Sequence, residues 1–185
     1  TGDVIQMLDG TGVLELPGDR AVRLRASDGD ASSVVEVGAT PEIVDGEAVV
    51  IVGSDGGRFR AGDVDVRLSA GAARVNRGLS VTIAVYRGSA EVRTAGRELA
   101  GGLAALRQVS IAATGQVPRD QVPLVYDDQD PDPWDREFLG DAIDLGRDLD
   151  QRSRGFTGQL GPRVRVDVSL LERVLPPLSK APVPV

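Results

Sequence analysis

The sequence predicts a mostly β protein, a β-solenoid-like coil or a sandwich, followed by one C-terminal amphipathic helix. Three observations lead there. Short runs rich in β-branched residues alternate in polarity along the first two thirds of the chain. Turn glycines recur at Gly18, Gly29, Gly38, Gly46, Gly62, Gly71, Gly78, Gly88 and Gly96, mostly 8 to 11 residues apart. A short pattern, G-x-x-x-V-R, returns as "GDRAVR" from Gly18, "GDVDVR" from Gly62 and "GSAEVR" from Gly88, and "GAARVN" from Gly71 keeps its first five positions. Each copy reads as a glycine that turns the chain into a strand whose inward residue is valine. The copies are unevenly spaced, which stops short of a strict solenoid repeat, so coil and sandwich both stay open.

In chain order the expected strands are Val13 to Leu16, Ala21 to Arg25, Ser33 to Val37, Val64 to Leu68, Ser80 to Tyr86, Ser89 to Thr94 and Gln108 to Ala113. The most apolar run, "AVVIV" at Ala48 to Val52, has the length of a strand and not of the ~20 residues that span a bilayer. "LAGGLAAL" at Leu99 to Leu106 reads as a loop, because paired glycines disfavour a helix. Aromatic residues make up 3% of the chain, so Val, Ile, Leu and Ala must fill the interior. Small uniform side chains suit stacked layers better than a deep aromatic-lined pocket. This β domain is expected over residues 1–126.

Composition removes whole classes of function. The net charge of −7 opposes binding to a phosphate backbone, so no nucleic-acid partner is expected. Without cysteine there is no thiol nucleophile, disulfide or thiolate zinc site. Without histidine the commonest proton carrier near neutral pH is missing as well. Ser110, Tyr86 and Tyr126 are the nominal catalytic side chains; each is more simply a strand-surface residue, so no enzyme activity and no cofactor is expected.

Residues 127–156 differ from the rest. Asp132 is placed to cap a helix, Pro133 suits the first helical position, and Asp135 at the third completes a capping-box-like arrangement. Trp134, Phe138, Ala142, Leu145 and Leu149 then fall on one face, joined by Leu139 and Ile143. Acidic residues come early and Arg147, Arg152 and Arg154 late, as the helix dipole prefers, with Gly155 as the expected stop. The apolar face is expected to cover an open face or end of the β domain, where strand edges need protection. Asp127, Asp128, Asp130 and Asp132 also form a weak candidate calcium loop, since they offer hard oxygen ligands at short spacing. The run lacks a turn glycine and a downstream bidentate glutamate, and it reads first as a solvated cap. Residues 157–185 are expected to hold a late strand, "RVRVDV" at Arg163 to Val168, and an extended proline-rich tail.

Three stretches, "GTGVLELPGDRAVRLR" (Gly10 to Arg25), "RGLSVTIAVYRGSAEVRTAG" (Arg77 to Gly96) and "LAALRQVSIAATG" (Leu103 to Gly115), resemble the FecR-like domain, named for the ferric-citrate regulator. In that pattern a strand ending in an aromatic leads to a G-x-x-x-V turn and then to a closing strand before a glycine. Val85, Tyr86, Gly88, Ala90, Val92, Gly96, Val109 and Gly115 fill those positions. "DPWDREFLGDAIDLG" looks like the segment that follows this domain in actinobacterial membrane-tethered versions. The resemblance covers roughly Thr1 to Phe156. It implies an all-β, β-solenoid-like extracytoplasmic domain tethered by one upstream membrane helix, acting in signal relay or as a scaffold for a protein partner, with no catalytic residues to carry over. The sequence in hand contains no membrane span and no anti-sigma segment, so any membrane contact is expected only through residues outside it. The alternative expectation is an envelope module that binds calcium through the aspartate run, or cell-wall glycan through stacking on Trp134.

Overall fold

The structure, a computed structural model, describes residues 2–26, 32–95, 97–99, 101–112, 115–118, 120–127 and 129–159. The chain divides into two compact units, Thr1–Leu139 and Gly140–Val185. The first holds every described strand. In order these are β1 (Asp3–Met7), β2 (Thr11–Leu16), β3 (Arg20–Arg25), β4 (Ser33–Val37), β5 (Glu42–Val52), β6 (Gly57–Ala61) and β7 (Val64–Leu68). They continue with β8 (Gly71–Arg77), β9 (Ser80–Arg87), β10 (Ser89–Thr94), β11 (Arg97–Glu98), β12 (Leu103–Ala104), β13 (Arg107–Ala112) and β14 (Val122–Pro123). The helix α1 runs from Pro133 to Gln159. It passes Gly155, the expected stop, and as a result no basic residue lies in its last turn.

The mostly β expectation is met as one curled, open sheet. Its fourteen strands pair antiparallel throughout, save for a two-residue parallel contact between β5 and β6. The units that start at Gly18 and Gly62 close as antiparallel hairpins, β2–β3 and β6–β7, whereas β7 and β8, which meet at Gly71, and β9 and β10, which meet at Gly88, do not pair. Strand β5 belongs to both halves of the curl. Its first residues pair with β4 and β6, its last six pair with β3 and its last seven with β8. One half then continues through β7 to β10, the other through β9 to β13 and β14.

What lets one strand serve two half-sheets is Gly46. Its φ of 80° lies in the left-handed region, and a Cβ there would fall 2.6 Å from Ser33 Oγ and 2.7 Å from the Ser32 carbonyl oxygen. A side chain would meet both strain and collision. Ser33, fully buried, accepts the Glu47 N–H at 2.9 Å and so fixes the strand just past the bend. Gly88 makes the second corner, between β9 and β10: φ is 84°, and the Ala70 carbonyl lies 2.2 Å from where a Cβ would stand.

Alternation puts the apolar residues of both halves into one core. Val22, Leu24, Val50, Val75, Ile83, Val85 and Ile111 come from one side; Val35, Phe59, Val66, Leu68 and Val92 come from the other. The valines of all four motif copies, Val22, Val66, Val75 and Val92, point inward, as the pattern requires. Phe59 is the largest fully buried side chain and contributes about 1.5–3 kcal/mol by leaving water. Leu99 and Leu103 anchor the Gly101–Gly102 turn in the same core, so the "LAGGLAAL" stretch is a loop with one two-residue strand. Of the segment 157–185 expected to hold a late strand and a proline-rich tail, residues 157–159 belong to α1 and the rest, including Arg163 to Val168, lies outside the described residues.

Candidate functional site

The most elaborate polar construction in the molecule lies on the outer face of the sheet, where α1 begins. Strand alternation sends Arg23 and Arg25 of β3, Glu47 of β5, Arg74 of β8 and Tyr86 of β9 away from the core. On the same face Val49, Ala72 and Ala84 are buried outside the core cluster. Together they form a second, thin apolar layer with Trp134 and Leu139 of the helix start.

The sequence order D-P-W-D-x-E-F explains how the helix seats there. Asp132 Oδ1 accepts the Trp134 N–H at 2.9 Å, and the Asp132 carbonyl accepts the Arg136 N–H at 2.8 Å, so Asp132 is the cap expected from the sequence. Its second oxygen is ion-paired with Arg25. Asp135 departs from the capping-box expectation. Its carboxylate turns toward the sheet, accepting the Tyr86 hydroxyl at 2.6 Å and Arg74 at 3.1 Å. Glu137 pairs with Arg23 at 2.6 Å.

Aromatic contacts complete the seat. The Arg25 guanidinium stands 4.5 Å over the Trp134 ring, and Phe138 stacks on Tyr86 with centroids 4.9 Å apart and planes 11° from parallel. Such pairs add about 0.5–1.5 kcal/mol beyond area burial. Under them all sits Glu47. It is 4% exposed and holds Arg25 on one oxygen and Arg74, at 2.5 Å, on the other. Glu47 thus fixes the two arginines that in turn hold Asp132 and Asp135.

Protonation states follow from these contacts. Burial alone would raise the Asp132 pKa, but the hydrogen bonds from Arg25 and from the Trp134 amide outweigh it and hold the carboxyl below its ordinary 3.8. Burial, reinforced by donation to Asp135, pushes the Tyr86 hydroxyl well above its ordinary 10.0, so the phenol stays neutral. Burial works against the Arg74 charge, but Glu47, Tyr86 and Asp135 together more than offset it and the guanidinium stays protonated. The result is a set of matched ionic contacts between the sheet face and the helix start.

The remaining sequence candidates disperse. Tyr86 is buried in the seat. Ser110 is exposed and accepts the Thr82 hydroxyl at 3.1 Å, and Tyr126 lies on the surface beyond β14. Asp127 Oδ1 accepts the amides of Gln129 and Asp130, at 2.9 and 3.2 Å, and Asp132 is held by the cap and Arg25. Asp128 lies outside the described residues, and among the described residues no three acidic side chains gather to hold a metal. Glycan stacking on Trp134 is overturned: the ring is 6% exposed and Arg25 covers it. Along the helix Phe138 is half-buried, Leu149 is 50% exposed, and the side chains of Ala142 and Leu145 lie outside the described residues. Of the two placements expected for the helix, an open face or an end of the β domain, its first turns take a sheet face.

Arg25, Glu47 and Arg74 were missed as a group. The signal for Glu47 was present: one carboxylate placed directly before "AVVIV", the most apolar run in the chain. A charge in a fully buried strand needs partners, and outward arginines on neighbouring strands are the available ones.

No family model and no curated protein sequence matches the chain. Two crystal structures of a candidate anti-sigma factor from Parabacteroides distasonis are similar in fold, with TM-scores of 0.54 and 0.50 at 18% and 17% identity. Each match covers 65% of this chain and about three fifths of the neighbour, 59% and 60%. What the likeness establishes is the fold of the β region.

Proposed function

We propose that the chain is a FecR-like, non-enzymatic scaffold domain that relays a signal through a protein partner, on the outer side of a membrane to which its protein is tethered. The observation that carries this reading is the shared curled-sheet fold with the anti-sigma factor structures. Two features support it. Aliphatic side chains fill the interior, and the polar side chains with displaced pKa values seat the helix start on the sheet. No described helix is long and apolar enough to cross a membrane, so tethering falls to residues outside the described ones.

Both parts can be tested in the full-length protein. These 185 residues have no cysteine, so Ser54→Cys at an exposed turn, with any cysteine elsewhere in the protein replaced by serine, supplies one clean label. A membrane-impermeant maleimide applied to intact cells is expected to label it; labelling only after lysis overturns the outer location. Photo-crosslinkers placed at exposed Arg67 and Ser110 in the anchored protein are expected to trap one discrete protein, with position-dependent yield. Absence of any crosslinked species in the envelope at either position removes the partner-binding role.

A further inference from the structure

The edges of the curled sheet are treated differently. Both ends of the strand path finish in two-residue strands: β11 is Arg97–Glu98, charged and exposed, and β14 ends in Pro123. Short strands, charges and proline are the ordinary protections of a sheet edge. Off that path β2 runs for six residues, Thr-Gly-Val-Leu-Glu-Leu, with no proline and no bulge, and among the described residues it pairs with β3 alone.

The hydrogen-bond parity of that edge can be worked out. The Ala26 N–H donates to the Gly10 carbonyl at 3.0 Å, which makes Gly10 and Ala26 a hydrogen-bonded pair in the β2–β3 register. Bonded and non-bonded pairs alternate in an antiparallel ladder. Gly12, Leu14 and Leu16 therefore bond to β3, and the backbone N–H and C=O groups of Thr11, Val13 and Glu15 point away from it. All three residues are exposed, Val13 at 64%, and Leu8 just before the strand is 73% exposed.

We propose that this edge is a homodimer interface, in which β2 pairs antiparallel with β2 of a second copy about a two-fold axis at Val13. The observation favouring a second copy is self-complementarity. With Val13 opposite its own mate, Thr11 stands opposite Glu15 twice over, every outward donor meets an outward acceptor, and no like charges face each other. On the inner side Gly12, over which the Met7 side chain lies, stands opposite the half-buried Leu14. A slip of the register by one residue puts the outward-bonding residues of one strand against the inward-bonding residues of the other, and the ladder fails. This inference does not depend on the proposed signalling role.

Sedimentation over a concentration series of the full chain tests it. Wild type is expected to dimerise reversibly. Thr11→Glu places two carboxylates opposite each other at both ends and is expected to weaken the dimer about tenfold, given the size of cross-strand charge effects. Adding Glu15→Lys to that variant is expected to restore affinity, and Thr11→Lys alone to strengthen it. As an independent readout, amide exchange at Thr11, Val13 and Glu15 is expected to slow with concentration, while Gly12, Leu14 and Leu16 stay unchanged. A chain that stays monomeric up to about 1 mM, where only trivial affinity remains, overturns the proposal. So does a dimer indifferent to the charge swap.

Discussion

Two outer faces of one sheet carry the same motif arginine and put it to different use. On the face formed by β3, β5, β8 and β9, Arg23 of the first motif copy reaches Glu137, and beside it Arg25 and Arg74 share the buried Glu47. On the face formed by β6, β7 and β10, Arg67 and Arg93 of the later copies stand at the surface. Arg93 meets Glu91 and Glu98 at about half exposure, and Arg58 meets Asp65 at 3.0 Å. The repeat places an arginine outward in both regions. Only where a helix start covers the face do neighbouring arginines, Arg25 and Arg74, share a carboxylate that has left water, and only there can ion pairs weigh much in stability. Water screens the exposed pairs, whereas a covered pair cannot lose one member without stranding the other.

The largest break in this comparison is Glu47→Ala. It leaves Arg25 and Arg74 facing each other without the carboxylate between them, and a loss of about 3 kcal/mol is expected in urea or thermal unfolding followed by circular dichroism. Next is the cap. Asp132→Ala removes an N-cap and one Arg25 partner, at a cost of about 1–2 kcal/mol, and the emission of Trp134, the sole tryptophan, is expected to shift to longer wavelength as its ring is uncovered.

Acid should mimic that variant. The folded-state pKa of Asp132 lies below its unfolded value, so its contribution is fully present above the unfolded pKa of 3.8 and fades as pH falls through the lower folded value. The red shift is therefore expected only on titration below 3.8 in wild type, and the acid-dependent step should be smaller in Asp132→Ala. The smallest effect sharpens the contrast from the other side. Arg58→Ala, on the uncovered face, is expected to change stability by less than about 0.5 kcal/mol in the same assay. A loss as large as that of Glu47→Ala would show that coverage is not what separates the two faces.

Much of the architecture was legible because it depends on local rules. Alternation named the inward valines of all four motif copies, and the glycines before them do adopt positive φ: 79° at Gly18, 59° at Gly62, 146° at Gly71 and 84° at Gly88. The helix start was legible for the same reason, since an Asp-Pro cap is read from adjacent residues. Strand partners were not. Parallel stacking and antiparallel hairpins use the same turn-and-valine pattern, and the choice rests on register across long separations. The role of Asp135 was misread for a related reason. A third-position carboxylate can reach back to its own cap, but Tyr86 and Arg74, far away in the chain, compete for it and win.

By itself, then, the sequence determined the β class, the inward residues, the corners and the point where the helix begins, because period, glycine conformation and capping act over a few neighbouring residues. Tertiary structure alone decided that Glu47 would be buried between two arginines, that Trp134 would be covered, and that β2 would be left as an edge. Each of these depends on which strands lie side by side, and chain connectivity does not fix that until the sheet has curled and its core has closed.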